Sequence, residues 1–214
     1  MATGTVADWI TNLTDYGLGD DINPDDLIQA INDVIQDVNT RFTWPFLDTT
    51  TTVTLTQGQA QVTLPPRFNK ARGLVIPSIP VVLTPERRET ILSKYPGSLT
   101  DPGTPALYYF IGQNMFVFPV PSQTYTAVLD YAQDEQTVTT ATLLSSLLLP
   151  QKHQDVYFLG ILARLYLLED DTEMYSLFAG RLEKKIVDMM DDVTMHQYDM
   201  PDRVIDVWDD GWGW

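Results

Sequence analysis

The apolar residues of this chain change their spacing twice, and that change limits the folds open to it. Up to about residue 47 they recur at three- and four-residue steps. From 48 to about 134 the step is two, with frequent Pro and Gly, and after Pro150 it returns to three and four. Strands that leave helices and return to them predict an α+β chain. The expected architecture is a bundle of about four helices, two from each chain end, with a small β-sandwich or barrel inserted between them. The expected divisions are 1–47 and 135–197 for the bundle, 48–134 for the β subdomain, and 198–214 for an extended C-terminal arm.

The best specified element runs from Asn23 to Leu47. Asn23 suits an N-cap and Pro24 the first helical position, and Asp25 and Asp26 lie where the helix dipole favours negative charge. Leu27, Ile31, Val34, Val38 and Phe42, flanked by Ile28 and Ile35, then share one face. Asn32, Asp33, Gln36, Asp37 and Asn39 share the wet one. Pro45 ends the helix and pushes Trp44 into an extended conformation. A shorter helix precedes it, with Thr5 as cap, Val6, Trp9, Ile10 and Leu13 on its apolar face, and Gly17 at its end. Asp21, Asn23 and Asp25 have the oxygen spacing of a calcium loop. Asp26 replaces the required glycine and Asn32 the bidentate Glu, so helix capping is the better reading.

In the middle, Thr51-Val53-Leu55 and Gln61-Val62-Thr63-Leu64 flank Gln57-Gly58-Gln59 and read as a hairpin. Leu74–Ile76 and Val81–Leu83 read as short strands. Thr84-Pro85-Glu86 is a cap-then-proline start for a helix of about ten residues ending at Tyr95. After a Pro- and Gly-rich loop, Leu107–Ile111 and Met115–Phe118 form a second hairpin around Gly112-Gln113-Asn114. Tyr125–Tyr131 adds a strand with Tyr125, Ala127, Leu129 and Tyr131 on one face.

After Pro150, Val156, Leu159, Ile161, Leu162, Leu165, Tyr166 and Leu168 are apolar nearly all round, which predicts the buried centre of a bundle. Asp170-Asp171-Thr172-Glu173 has the form of a capping box. A long helix follows through Met174, Leu177, Phe178, Leu182, Ile186, Met189, Met190 and Val193. From Gln197 the pattern stops. The last stretch, with Val204, Ile205, Val207, Trp208, Trp212 and Trp214, is too short and glycine-interrupted to build its own core. Its tryptophans either fold back on their own subunit or anchor an arm on a partner.

The formal charge is −16, and only residues 51–100 have more bases than acids, six against two. Cations therefore concentrate in the β subdomain, at Arg67, Lys70, Arg72, Arg87 and Arg88, and the chain lacks the basic footprint that supplies affinity for a phosphate backbone. With no Cys, disulfides, thiolate zinc sites and thiol nucleophiles are excluded together. No stretch reaches the roughly 18–20 apolar residues of a membrane span, and MATGTVADWI lacks the basic-then-apolar pattern of a signal peptide. A soluble, unexported protein is expected.

No catalytic constellation assembles. The chain has no glycine-rich phosphate loop, GxSxG or HExxH. His153 and His196 stand near the ends of different helices and read as surface or capping residues. The pairs Asp20/Asp21, Asp191/Asp192 and Asp209/Asp210 fall at helix ends and in the tail, where adjacency is unsurprising in so acidic a chain. No enzyme activity, cofactor or metal is expected.

Taken in order, Arg41-Phe42-Thr43-Trp44-Pro45-Phe46-Leu47, Val62-Thr63-Leu64-Pro65-Pro66-Arg67-Phe68, Gly103-Thr104-Pro105-Ala106-Leu107-Tyr108-Tyr109, Met115-Phe116-Val117-Phe118-Pro119-Val120-Pro121 and Leu129-Asp130-Tyr131 before a Leu-rich step resemble the head-to-tail connector, or adaptor, proteins of tailed bacteriophages, over roughly residues 20–195. The resemblance implies a virion protein of the head–tail junction, made in the host cytoplasm. It forms a ring, usually of twelve subunits, beneath the portal and surrounds the DNA channel. Portal and tail or nozzle proteins are the implied partners, and DNA passes through without specific binding. On this reading the C-terminal arm grips the portal, Asp33, Asp37, Asp188, Asp191 and Asp192 contribute to an acidic bore, and the basic cluster faces the tail. The rival readings are a tail-completion protein that does not touch the portal, and a carbohydrate- or ligand-binding module with Tyr108, Tyr109, Tyr125, Trp212 or Trp214 as stacking platforms.

Overall fold

A computed structural model describes residues 4–15, 24–95 and 100–198. The chain is mixed α+β, with five α-helices and several small sheets among the described residues. By internal contacts it divides into two compact units. One draws on Met1–Phe42, Val138–Ser146 and Pro150–Trp214, and the other comprises Thr43–Thr137 with Leu147–Leu149.

The helical unit holds α1 (Val6–Asp15), α2 (Pro24–Arg41), α4 (Gln154–Leu168) and α5 (Thr172–Tyr198). In α1 the Thr5 backbone N–H donates to Asp8, closing the first turn. On α2 the apolar spacing becomes burial, with Ile31 and Val38 fully enclosed and Leu27, Val34 and Ile35 nearly so. The loop at 138–144 is fastened to the helices. Asn32 on α2 donates to the Val138 carbonyl at 3.2 Å and accepts from its N–H at 2.8 Å, and Gln154 donates to the Leu144 carbonyl at 2.8 Å. The α2 and α4 backbones come close at Gly160, where an added Cβ would lie 2.4 Å from Val34 Cγ1. Helix α5 buries Phe178, Leu182, Ile186 and Met189. Tyr166 of α4 stacks on Phe178 at 5.3 Å.

Two expectations for these helices are corrected. Leu168 and Leu177 are 58% and 45% exposed, so α4 is not enclosed all round and α5 keeps a narrower apolar stripe than its composition predicts. The start of α5 is capped by Asp171, whose carboxylate accepts from the Met174 N–H at 3.0 Å. Asp170, at φ 58°, forms the left-handed turn before it and is no N-cap.

The β unit opens with a 3-10 turn at Pro45–Leu47, entered through an extended Trp44 that is fully buried and stacked on Phe46. One four-stranded sheet joins β1 (Asp48–Leu55), β3 (Phe68–Ile76), β4 (Val81–Val82) and β10 (Tyr125–Gln133) in the order β1-β10-β3-β4. The other joins β2 (Gln61–Thr63), β5 (Thr84–Pro85), β7 (Leu107–Ile111) and β8 (Asn114–Phe118) in the order β2-β8-β7-β5. A two-stranded piece pairs β6 (Pro102–Gly103), inside a stretch expected to be loop, with β9 (Val120–Pro121). One cluster of buried side chains draws on both larger sheets, including Leu55, Leu74, Ile76, Tyr108, Met115, Val117, Ala127 and Leu129.

The β7–β8 hairpin forms as expected, with Ile111 opposite Asn114 and Gly112 at φ 56° in its turn. The first expected hairpin does not form. β1 pairs with β10 and β2 with β8, so the turn around Gly58 carries the chain from one sheet to the other. The Thr84-Pro85 start signal is also overruled. Those residues are β5, paired parallel with β7, and helix α3 (Arg88–Lys94) begins after Arg87. Thr84 N–H donates to Ala106 and Glu86 N–H to Tyr108, and these bonds hold the segment extended.

Candidate functional site

In the helical unit most of the acids expected to line a bore have cations beside them. On α2, Asp37 pairs with Arg41 at 2.6 Å, and Asp33 lies 3.8 Å from Arg164 while accepting from Gln29 at 2.7 Å. Arg41 also pairs with Glu183, so it ties α2 to α5. Its two carboxylate partners raise its pKa above the usual arginine range. Asp33, Val34, Asp37, Arg41, Gly160 and Glu183 are among the residues lining one groove of about 380 Å³. At the other end of α5, Asp192 is held by Lys152 and by His153, whose Nε2 is 2.8 Å from the carboxylate. Asp188 and Asp191 are exposed, and neither forms an ion pair among the described residues. The expected bore residues thus fall into two groups, Asp33 with Asp37 on α2 and Asp188, Asp191 and Asp192 on α5.

The β unit holds the expected basic cluster, which the fold divides. Lys70 and Arg72 on β3 line a cleft of about 480 Å³ together with Phe68, Pro85, Tyr108 and Phe110. Arg67, Arg87 and Arg88 are not among its lining residues. Arg67 turns the chain into β3 at φ 60° and donates to Gln133 at 3.2 Å, while Arg87 and Arg88 open α3. The aromatic walls were missed from the sequence. Their signal was the interleaving of Phe68 with Arg67, Lys70 and Arg72 in a single short stretch.

A second group missed from the sequence is Glu135, which follows β10. It accepts backbone N–H bonds from Leu148 at 2.6 Å and from Gln136 at 3.0 Å, fastening residues 147–149 to the β unit. Burial raises its pKa above the ordinary carboxylate value, against the lowering effect of those donors and of Arg67.

The stacking platforms of the ligand-binding reading are mostly occupied. Tyr108 and Tyr125 are buried, and Tyr109 stacks on Phe116 at 5.2 Å. Among the described residues no cluster of acidic or histidine side chains is arranged to hold a metal ion, and no helix is long and apolar enough to cross a membrane. The arm residues Val204, Ile205, Val207, Trp208, Trp212 and Trp214 lie outside the described residues, as do Asp21 and Asn23 of the calcium-like loop.

No curated protein matches the chain. The sequence model of a family described as SU10 adaptor protein matches residues 3–211, nearly the whole length. The chain therefore belongs to the SU10 adaptor protein family, in agreement with its resemblance to the structural head-to-tail adaptors of bacteriophages.

Proposed function

We propose that this protein is a head-to-tail adaptor that assembles as a ring of twelve copies beneath the portal, joins the DNA-filled head to the tail, and surrounds the DNA channel. The observation that carries this reading is the family match across residues 3–211. In this reading the helical bundle packs side by side with its neighbours to build the ring, the β-sandwich inserted at 48–134 reaches tail or nozzle components, and the arm at 198–214 grips the portal.

Ring closure uses a heterologous interface, in which two different patches of one subunit meet the matching patches of its neighbours. An acid-lined bore offers few cations to replace phosphate counterions, so DNA slides without sticking. Asp188 and Asp191, exposed and in no ion pair among the described residues, fit that lining better than Asp33, Asp37 and Asp192, whose charge is offset by Arg164, Arg41 and Lys152. Lys70, Arg72 and their aromatic neighbours suit the tail-facing side.

The test is the mass and shape of the purified protein, alone and mixed with the portal of its own phage, by light scattering and negative-stain microscopy. The expected result is a ring stacked on the portal, lost when Asp202–Trp214 is deleted. A protein that ignores the portal overturns the reading in favour of a tail-completion role.

A further inference from the structure

The cleft beside β3 has a chemistry that stands out in a chain of net charge −16. No carboxylate lines it. Its walls are rings held by one another, with Phe110 packed 5.3 Å from Phe68 and edge-on 5.5 Å from Tyr108. Phe110 is nevertheless 38% exposed, so an apolar face is open to a ligand. At the rim Lys70 makes no ion pair among the described residues. Arg72 is engaged by one carboxylate, Asp48, through Nε at 2.9 Å. A guanidinium has five donors, so capacity remains. At about 480 Å³ the cleft is within the range that takes one or two aromatic side chains.

Aromatic walls with a cationic rim select an aromatic group presented beside a carboxylate, through ring packing, cation–π contact and charge. The chain itself carries such a segment. In Asp206-Val207-Trp208-Asp209-Asp210-Gly211-Trp212-Gly213-Trp214, Trp208 adjoins Asp209 and Trp212 follows Asp210 by two residues. We propose that this cleft is the seat of the acidic, tryptophan-bearing segment 202–214 of a second copy of the chain.

The roughly sixteen residues after Tyr198 span up to about 55 Å when extended, enough to cross to an adjacent subunit. Cleft and arm are different surfaces, so the contact is heterologous and repeats from copy to copy in the manner a ring requires. The inference gives the arm a seat in the free protein and rests on the portal reading only for what later displaces it.

The test uses the full-length chain with Trp208→Ala, Trp212→Ala and Trp214→Ala as acceptor, so that its own arm does not compete. A fluorescein-labelled peptide of residues 202–214 is titrated in and followed by anisotropy. The expected result is saturable binding that weakens with salt and falls at least tenfold with Lys70→Glu or Phe110→Ser, two substitutions at exposed positions that leave circular dichroism unchanged. A peptide with Asp209→Lys and Asp210→Lys is expected to lose the parent acceptor and regain binding to the Lys70→Glu acceptor. No saturable binding, or equal affinity for the parent and Lys70→Glu acceptors, overturns the proposal.

Sedimentation of the unaltered full chain supplies the second readout. Self-association that grows with concentration and is lost in Lys70→Glu is expected, whereas a chain that stays monomeric while the peptide binds overturns the assignment to a second copy. No portal is present in either experiment, so their failure leaves the portal reading standing.

Discussion

Replacing Gly160 by Ala tests whether α2 and α4 meet as closely as their backbones indicate. In most helices the change stabilises by about 1 kcal/mol, because Gly is the poorer helix former. Here the new Cβ would fall 2.4 Å from Val34 Cγ1, far inside van der Waals contact. Val34 is buried and β-branched, so it cannot swing away without leaving its one favoured helical rotamer. Overpacking of this kind costs about 1–3 kcal/mol, and with a stiff neighbour the upper half applies. Offset by the propensity gain, the net destabilisation is about 1–2 kcal/mol, a fall in Tm of roughly 3–6 °C for a chain of this size. Thermal and urea unfolding followed at 222 nm read it directly. Val34→Ala removes the colliding methyl, so the double variant is expected to be more stable than the sum of the two singles by about 1–2 kcal/mol. A Gly160→Ala protein at or above the parent's stability, or strict additivity with Val34→Ala, would refute the close approach.

Three further outcomes are expected. Trp44→Ala empties a fully buried site at the entry to the β unit and costs about 3–5 kcal/mol in urea unfolding, whereas Trp44→Phe keeps much of the packing and costs less. Arg41→Ala removes the link from α2 to Glu183, but the partners are substantially exposed, so the loss is only about 0.5–1 kcal/mol and shrinks when unfolding is repeated in 1 M salt. Glu135 has a folded pKa raised above its unfolded value of 4.5, so its contribution to stability is fully present below pH 4.5 and is lost as pH rises through the raised value. Glu135→Gln is expected to flatten that part of the stability-against-pH curve, read by chemical unfolding at several pH values.

What could be read from residues alone follows the range of the interactions involved. The apolar face of α2 and the buried face of β10 were legible because burial obeys local periodicity, and the β7–β8 hairpin because both strands and their turn lie within about a dozen residues. The partner of β1 was not legible. Thr51, Val53 and Leu55 alternate correctly, yet nothing local says that β10 outcompetes the adjacent β2. Thr84-Pro85 failed for a related reason, since a proline after a threonine opens a helix only when no neighbouring strand claims the backbone. Of the candidate sites, the concentration of cations near 67–88 was plain from composition. That Lys70 and Arg72 share a cleft from which Arg87 and Arg88 are absent depends on which strands become neighbours. The acids read as a uniform wet face, because the sequence does not show that Arg41 and Glu183, far apart in the chain, become partners.

The position of β10 also sets the order in which the chain can fold. It is the last of the described strands to be synthesised, yet it lies between β1 and β3, and the bond from Thr50 to Asp130 spans 80 residues. Apart from the short β3–β4 pairing, that sheet cannot close until β10 has left the ribosome, so β1 waits on the nascent chain without its mate. Non-local pairing of this kind is slow and leaves unpaired strands open to aggregation. The waiting segment is suited to that interval. Thr49–Thr52 favour extended backbone through their branched Cβ while showing water hydroxyls in place of an aliphatic surface. The run of threonines that looks unremarkable in the finished sheet gives its first strand a polar surface for the interval before its last one is made.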